Sequence, residues 1–169
     1  MRIWIMWTYS SWKTTLANRL VSELPWHILD INQEREVANK VWFDFNNYTD
    51  EELLNYQTSL LWHLASVHMN LYNIITDTPI PLIAAYTQHP WLIDTVKYYK
   101  KYYDLIVYCN PDDCKLEDDW VRHQDEKFRK EVDKKIQEII KDMNVVKVYW
   151  PTYKRVKQVL DYINKLWLR

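Results

Sequence analysis

The chain has 169 residues, 48% of them hydrophobic and 27% charged, with 22 Lys+Arg against 23 Asp+Glu and a formal net charge of −1. That length fits one domain spanning 1–169, and this composition argues against disorder and against a protein that coats nucleic acid. No apolar run approaches the roughly 18 residues of a membrane span, the N-terminus makes a poor secretory signal, and Cys109 and Cys114 make no disulfide framework, so a reducing, cytoplasmic setting is the expectation.

In chain order, residues 1–6 form a short apolar run of strand formers. Helical spacing follows from Lys13 to Leu24, with Leu16, Leu20, Val21 and Leu24 on one face, and Pro25 ends it. His27 to Leu29 reads as a second strand before Asp30. Asn32 is placed to cap a helix through Lys40. Thr49, with Glu52 three residues on, is a capping box for a long helix to about Asn70. Tyr72 to Thr76 reads as a strand ending at Asp77, broken by Pro79 and Pro81. Helical segments are expected in the 80s and over 91–103. Residues 104–109, DLIVYC, have the pattern of a strand buried on both faces. A turn over 110–113 and a charged, irregular stretch over 115–123 lead to a helix from Gln124 to Met143, a last strand from Val145 to Tyr149 and a last helix from Tyr153 to Leu166. Strands alternating with helices predict an α/β fold: three layers, with helices on both faces of a five-stranded, mostly parallel sheet.

One composition figure is abnormal: the chain has no glycine and ten tryptophans, at 4, 7, 12, 26, 42, 62, 91, 120, 150 and 167. About a dozen glycines are usual at this length, given ~7% usage. Glycine serves where φ is positive or where backbone approaches a ligand closely.

Ligands of such folds bind at the carboxyl ends of strands, so the residues just after each strand are the informative ones. After the first strand stand Trp7, Thr8, Tyr9, Ser10, Ser11, Trp12, Lys13, Thr14 and Thr15. Read with glycine at 7 and 12, this is G-x-x-x-x-G-K-[ST], the phosphate-binding loop, placed between a strand and a helix as that loop requires. Its backbone N–H groups and the helix N-terminus would hold phosphates, Lys13 would reach the β/γ-phosphates of ATP, and the Thr14 hydroxyl would ligate Mg²⁺. An indole at 7 or 12 conflicts with this, because a Cβ crowds the bend. Trp42, Trp120 and Trp150 likewise stand at turn positions where glycine is expected.

The chain resembles the P-loop kinase group that includes nicotinamide riboside kinase domains and related nucleoside- and nucleotide-kinase-like ATPase domains. The likeness covers nearly the whole length: MRIWIMWTYSSWKTTLANRL at 1–20, REVA at 35–38, WFDFNN at 42–47, Tyr56-Gln57, IITDTP at 74–79, Ala85-Tyr86-Thr87, DLIVYCNP at 104–111, EDDWVRHQDEKFR at 117–129 and VYWPTYKRV at 148–156. Most of the corresponding Trp positions are Gly in that family. A reassigned UGA codon, read as Trp in one genetic code and Gly in another, would produce this systematically; the alternative is a Trp-rich core without glycine.

The resemblance implies an ATP- and Mg²⁺-dependent kinase acting on a nucleoside- or nucleotide-like small molecule, with no nucleic-acid or membrane partner. Asp77 ends the third strand as a Walker-B-type carboxylate does, to hold Mg²⁺ or act as base, although a strand-end turn Asp looks the same. Relatives often carry Arg or a second acid just after this Asp, where Thr78, Pro79 and Leu82 stand here. Arg122 and Arg129 fall in a stretch (about 115–130) that resembles the kinase lid, where Arg stabilises the transferring phosphoryl group; a solvated helix start is the alternative. Arg35, Glu36 and Gln57 fall where the family places substrate contacts, and Pro151 falls near the adenine. The histidines show no metal spacing. The rival functions are a nucleotide-gated ATPase switch without an acceptor and, with literal tryptophans, a non-catalytic P-loop scaffold.

Overall fold

The computed structural model describes residues 1–6, 13–109, 126–149 and 151–167. In chain order these form β1 (Arg2–Met6), α1 (Lys13–Glu23), β2 (Ile28–Asp30), α2 (Gln33–Val41), α3 (Asp50–His68), β3 (Ile74–Thr76), α4 (Ile83–Tyr86), α5 (Pro90–Tyr98), β4 (Leu105–Cys109), α6 (Glu126–Ile140), β5 (Val145–Val148) and α7 (Thr152–Trp167), with 3-10 turns at Ile80–Leu82 and Tyr99–Tyr102. The five strands make one sheet in the order β2-β3-β1-β4-β5. Every pairing is parallel; Ile3, for example, sits opposite Ile75 on one side and Leu105 on the other.

Successive strand residues point to opposite faces, so β1 and β4 feed two cores. Ile3, Ile5, Leu105 and Val107 pack with Leu16, Ala17 and Leu20 of α1 and with Val159 and Ile163 of α7. Trp4, Met6, Ile106 and Tyr108 pack on the other face with Leu60, Leu61 and Leu64 of α3, Leu92 and Val96 of α5, and Val132 and Ile136 of α6. The result is the three-layer α/β/α arrangement of P-loop proteins. The face each helix takes follows from the right-handed crossover rule. The step from β1 outward to β2 runs one way across the sheet, so α1 lies on one face. All later steps run the other way, so α2 to α6 lie on the opposite face.

Local signals in the sequence act where they were read. Thr49 accepts the Glu52 N–H at 3.2 Å through its hydroxyl, and the Glu52 carboxylate takes the Thr49 N–H at 2.7 Å. Other expectations need correction. The third strand begins at Ile74 rather than Tyr72. Its register with β1 starts at Arg2↔Ile74, so Tyr72 lies beyond the end of its neighbour, exposed under the Arg2 guanidinium. Asn32 precedes α2 but makes no side-chain cap; its backbone is left-handed, with φ 63°.

The described tryptophans do not build a Trp-rich core. Trp26, Trp42, Trp62 and Trp91 are 84%, 93%, 63% and 49% exposed. Trp4 alone among those with described side chains is buried, against Tyr103 with ring centroids 5.6 Å apart. Its indole N–H meets no acceptor among the described residues, a situation that costs about 1–3 kcal/mol.

Candidate active site

The connection after β1 passes to one face of the sheet and that after the adjacent β3 passes to the other. A crevice opens between such strands beyond their carboxyl ends, the usual ligand position of an open α/β sheet. Lys13 and Thr14, the first residues of α1, stand on one side of this crevice, and Asp77, directly after β3, on the other. The Thr14 hydroxyl donates to Asp77 Oδ2 at 2.9 Å. The other carboxylate oxygen, Oδ1, accepts from the Thr78 hydroxyl at 3.2 Å and from the Asn32 N–H at 3.3 Å. The left-handed turn at Asn32 therefore serves the site: it aims a backbone donor at Asp77 instead of closing a side-chain cap. Asp77 itself is buried, so these bonds fix the orientation of its carboxylate.

The first turn of α1 contains no acidic residue. No acidic side chain on that turn therefore opposes the positive end of the helix macrodipole, where Lys13 stands.

A second carboxylate stands beside the first. Asp30 ends β2 opposite Thr76 in register, and its carbonyl accepts the Asp77 N–H at 3.3 Å. Its side-chain Oδ2 accepts from the Thr76 hydroxyl at 3.1 Å and pairs with His68 Nε2 at 2.8 Å. His68 Nδ1 lies 2.7 Å from the Tyr103 hydroxyl, which also accepts the Ile80 N–H at 3.0 Å. Burial holds the Tyr103 phenol well above its ordinary pKa. The sequence reading passed over Asp30, His68 and Tyr103. Asp30 was findable by the rule that found Asp77, since it too directly follows a strand. His68 and Tyr103 carry no local signal; only the packing of α3 against the sheet brings them together.

The remaining predicted residues divide by location. Thr15 follows Thr14 in the first turn of α1. Arg35 and Glu36 are exposed in the first turn of α2, and their N–H groups both bond the Asn32 carbonyl. Gln57 is buried on α3, and its Oε1 receives no hydrogen bond from a described residue. Beside it, Tyr56 stacks on Phe43 with ring centroids 4.4 Å apart. Arg129 is buried on α6, one turn ahead of Asp133, which ties that helix to β4 by accepting from the Tyr108 hydroxyl at 2.8 Å. The Pro151 carbonyl accepts the N–H groups of Lys154 and Arg155 and so starts α7. Trp7, Thr8, Tyr9, Ser10, Ser11, Trp12 and Arg122, with most of the 115–130 segment, lie outside the described residues.

A family profile described as "AAA domain" matches residues 2–154. The chain belongs to that family. No curated protein sequence matches it. Among solved structures, the deoxyadenosine kinase of M. mycoides with dCMP and dCDP bound is similar at a TM-score of 0.70 and 13% identity, over 98% of this chain and 100% of that one. Shikimate kinase from Acinetobacter baumannii in complex with shikimate gives 0.68 and 15%, over 99% and 95%. NadR protein in complex with NAD and AMP-PNP gives 0.67 and 17%; the chain covers 49% of that protein and 96% of its own length aligns. At these identities the likeness establishes a shared fold, that of P-loop kinases. Among the described residues, no helix is long and apolar enough to cross a membrane.

Proposed function

We propose that the protein is an ATP-dependent small-molecule kinase that transfers the γ-phosphoryl group of ATP to a hydroxyl or phosphate of a nucleoside-like acceptor. The observation that carries this reading is the 2.9 Å contact of Thr14 with Asp77 across the crevice, immediately behind Lys13 at a helix N-terminus. The kinases named above share the fold around it. Lys13 and the loop before it would hold the β- and γ-phosphates. Thr14 and Asp77 present hard oxygen donors on adjoining elements, which fits Mg²⁺. Among the described residues there is no group of three or more His, Cys, Asp and Glu that could hold a metal, so the ion would take its other oxygens from phosphates and water. When bound, Mg²⁺ would neutralise charge on the phosphates.

Asp30 is suited to the acceptor side. Its Oδ2 is taken by His68 and Thr76, and no described residue hydrogen-bonds its Oδ1. For a hydroxyl acceptor, Oδ1 would accept the O–H proton as the oxygen bonds to the γ-phosphorus and the bond from that phosphorus to the β-phosphate oxygen breaks, releasing ADP. The buried Gln57 Oε1, which lacks a donor among the described residues, is the kind of group a ligand N–H or O–H satisfies. Arg35 and Glu36 would border the acceptor, and Arg122, Arg129 and Pro151 would contribute as the resemblance implies. The test is calorimetric titration with MgATP, followed by a turnover screen over nicotinamide riboside, deoxynucleosides and nucleoside monophosphates. Binding with acceptor phosphorylation supports the kinase; binding with hydrolysis alone supports the ATPase switch; absence of binding supports the scaffold.

The tryptophans are part of this proposal: several of the ten, and up to all of them, stand for glycine in the working protein. Trp42 supports this among the described residues. It closes α2 with φ 57°, and the Phe43 N–H bonds the Ala38 carbonyl at 2.9 Å, the Schellman pattern whose left-handed position favours glycine. The exposed indoles at 26 and 91, and the Trp4 indole N–H that meets no acceptor among the described residues, add to it. Intact mass of protein from the native host decides the matter at all ten positions.

A further inference from the structure

The buried chain of bonds behind Asp30 has a direction that the donors and acceptors dictate. The Tyr103 hydroxyl already accepts the Ile80 N–H. Its own proton has one described partner in reach, His68 Nδ1 at 2.7 Å. If Nδ1 carried a proton, two donors would face the phenol and the phenol proton would lack an acceptor. With Nδ1 as acceptor, every group is satisfied: Tyr103 donates to Nδ1, and the opposite nitrogen, as Nε2–H, donates to Asp30 Oδ2 at 2.8 Å. Thr76 supplies a second donor to the same oxygen. His68 and Thr76 are almost wholly enclosed, so water does not compete for these bonds. The chain joins the end of α3, the second residue before β4, the turn after β3 and the end of β2.

Resting on the kinase reading, we propose that Tyr103 and His68 are positioning residues: they lock His68 as the neutral Nε2–H form and so fix the Asp30 carboxylate with Oδ2 occupied and Oδ1 presented to the acceptor hydroxyl. Neither residue touches substrate. No net proton passes along the chain, because the acceptor's proton arrives at Oδ1 while the bonds to Oδ2 persist. The arrangement gives a short side chain on a three-residue strand the rigidity that phosphoryl transfer needs, where a displacement of about 1 Å costs about 100-fold in rate. The edge position of β2 explains the need: Asp30 has a neighbouring strand on one side only, and the buttress comes from α3 on the face of the sheet.

The test combines kinetics with nitrogen NMR of the histidine ring in the full-length protein. His68→Leu removes the donor at similar bulk and should lower kcat about 10-fold with the KM for ATP unchanged. His68→Gln, whose amide can still donate to Oδ2, should recover most of that loss. Tyr103→Phe keeps the ring against Trp4 and removes only the hydroxyl; it should lower kcat by a smaller factor and turn the single Nε2–H signal of His68 into a mixture of tautomers. The proposal is overturned by an unchanged kcat in His68→Leu, by equal losses in the Leu and Gln variants, or by a loss confined to KM for ATP. Should His68→Leu fail to fold, Tyr103→Phe decides: an unchanged kcat and an unchanged His68 signal overturn it. Should the wild-type protein phosphorylate no acceptor, the kinase reading fails by itself, and an Nδ1–H signal for His68 in the unmodified protein overturns the bonding scheme.

Discussion

Replacing Trp42 by glycine should stabilise the protein. Trp42 occupies the left-handed position after α2 at φ 57°, where a Cβ crowds the adjacent carbonyl. That strain is about 1–2 kcal/mol for a non-glycine residue. Its side chain is 93% exposed, so little packing is lost with it. Glycine makes the unfolded chain more flexible, which returns a few tenths to ~1 kcal/mol. The balance is a gain of up to about 1.5 kcal/mol, and for a domain of this size each kcal/mol raises Tm by roughly 2–4 °C. Urea denaturation followed by far-ultraviolet circular dichroism, which does not depend on the removed indole, measures the midpoint at constant slope. Trp42→Ala is the control, since it removes the indole but keeps the Cβ. A midpoint for the glycine variant at or below that of the alanine variant would refute the backbone argument.

Trp62 offers the opposite sign. It is exposed in the interior of α3, where glycine should be less stable than alanine by about 1 kcal/mol, as measured by the same melts. Lys13→Ala should abolish ATP turnover while leaving the thermal transition in place; undiminished turnover would remove the α1 N-terminus from the mechanism. Asp77→Asn keeps the volume and an acceptor for Thr14 but removes the charge, so the Mg²⁺ concentration needed for half-maximal activity should rise at least 10-fold, on the order of one lost charge–metal contact. Burial lowers the pKa of His27 below its ordinary value. The folded protein therefore binds that proton less readily than the unfolded chain, and stability should fall as pH drops from the ordinary imidazole pKa through the lower folded value. His27→Gln should flatten that part of the stability–pH curve.

The periodic and punctuated parts of the sequence were legible. The α1 stripe of Leu16 and Leu20, the Thr49–Glu52 capping box and the apolar run of β4 are each encoded within a few residues, and each forms where its pattern lies. The placement of Asp77 directly after a strand, and so at the sheet's carboxyl edge, was legible. The strand order was not written locally. It depends on the crossover hand and on which hydrophobic faces meet, and it is what sets Thr14 against Asp77. Asn32 illustrates the limit: its type predicted a helix cap, yet tertiary structure spends its backbone N–H on Asp77. His68 and Tyr103 were hidden for the same reason, since they lie 35 residues apart in the chain and meet only across the core.

Transfer of labelled γ-phosphate from ATP bears most directly on the account. Protein from its native host, given Mg²⁺ and the acceptor panel, should place label on a nucleoside-like product, and the Asp30→Asn form should retain ATP binding while losing most of that transfer. Label appearing only as inorganic phosphate in both proteins, or transferred equally well by both, would contradict an acceptor-directed carboxylate at the end of β2.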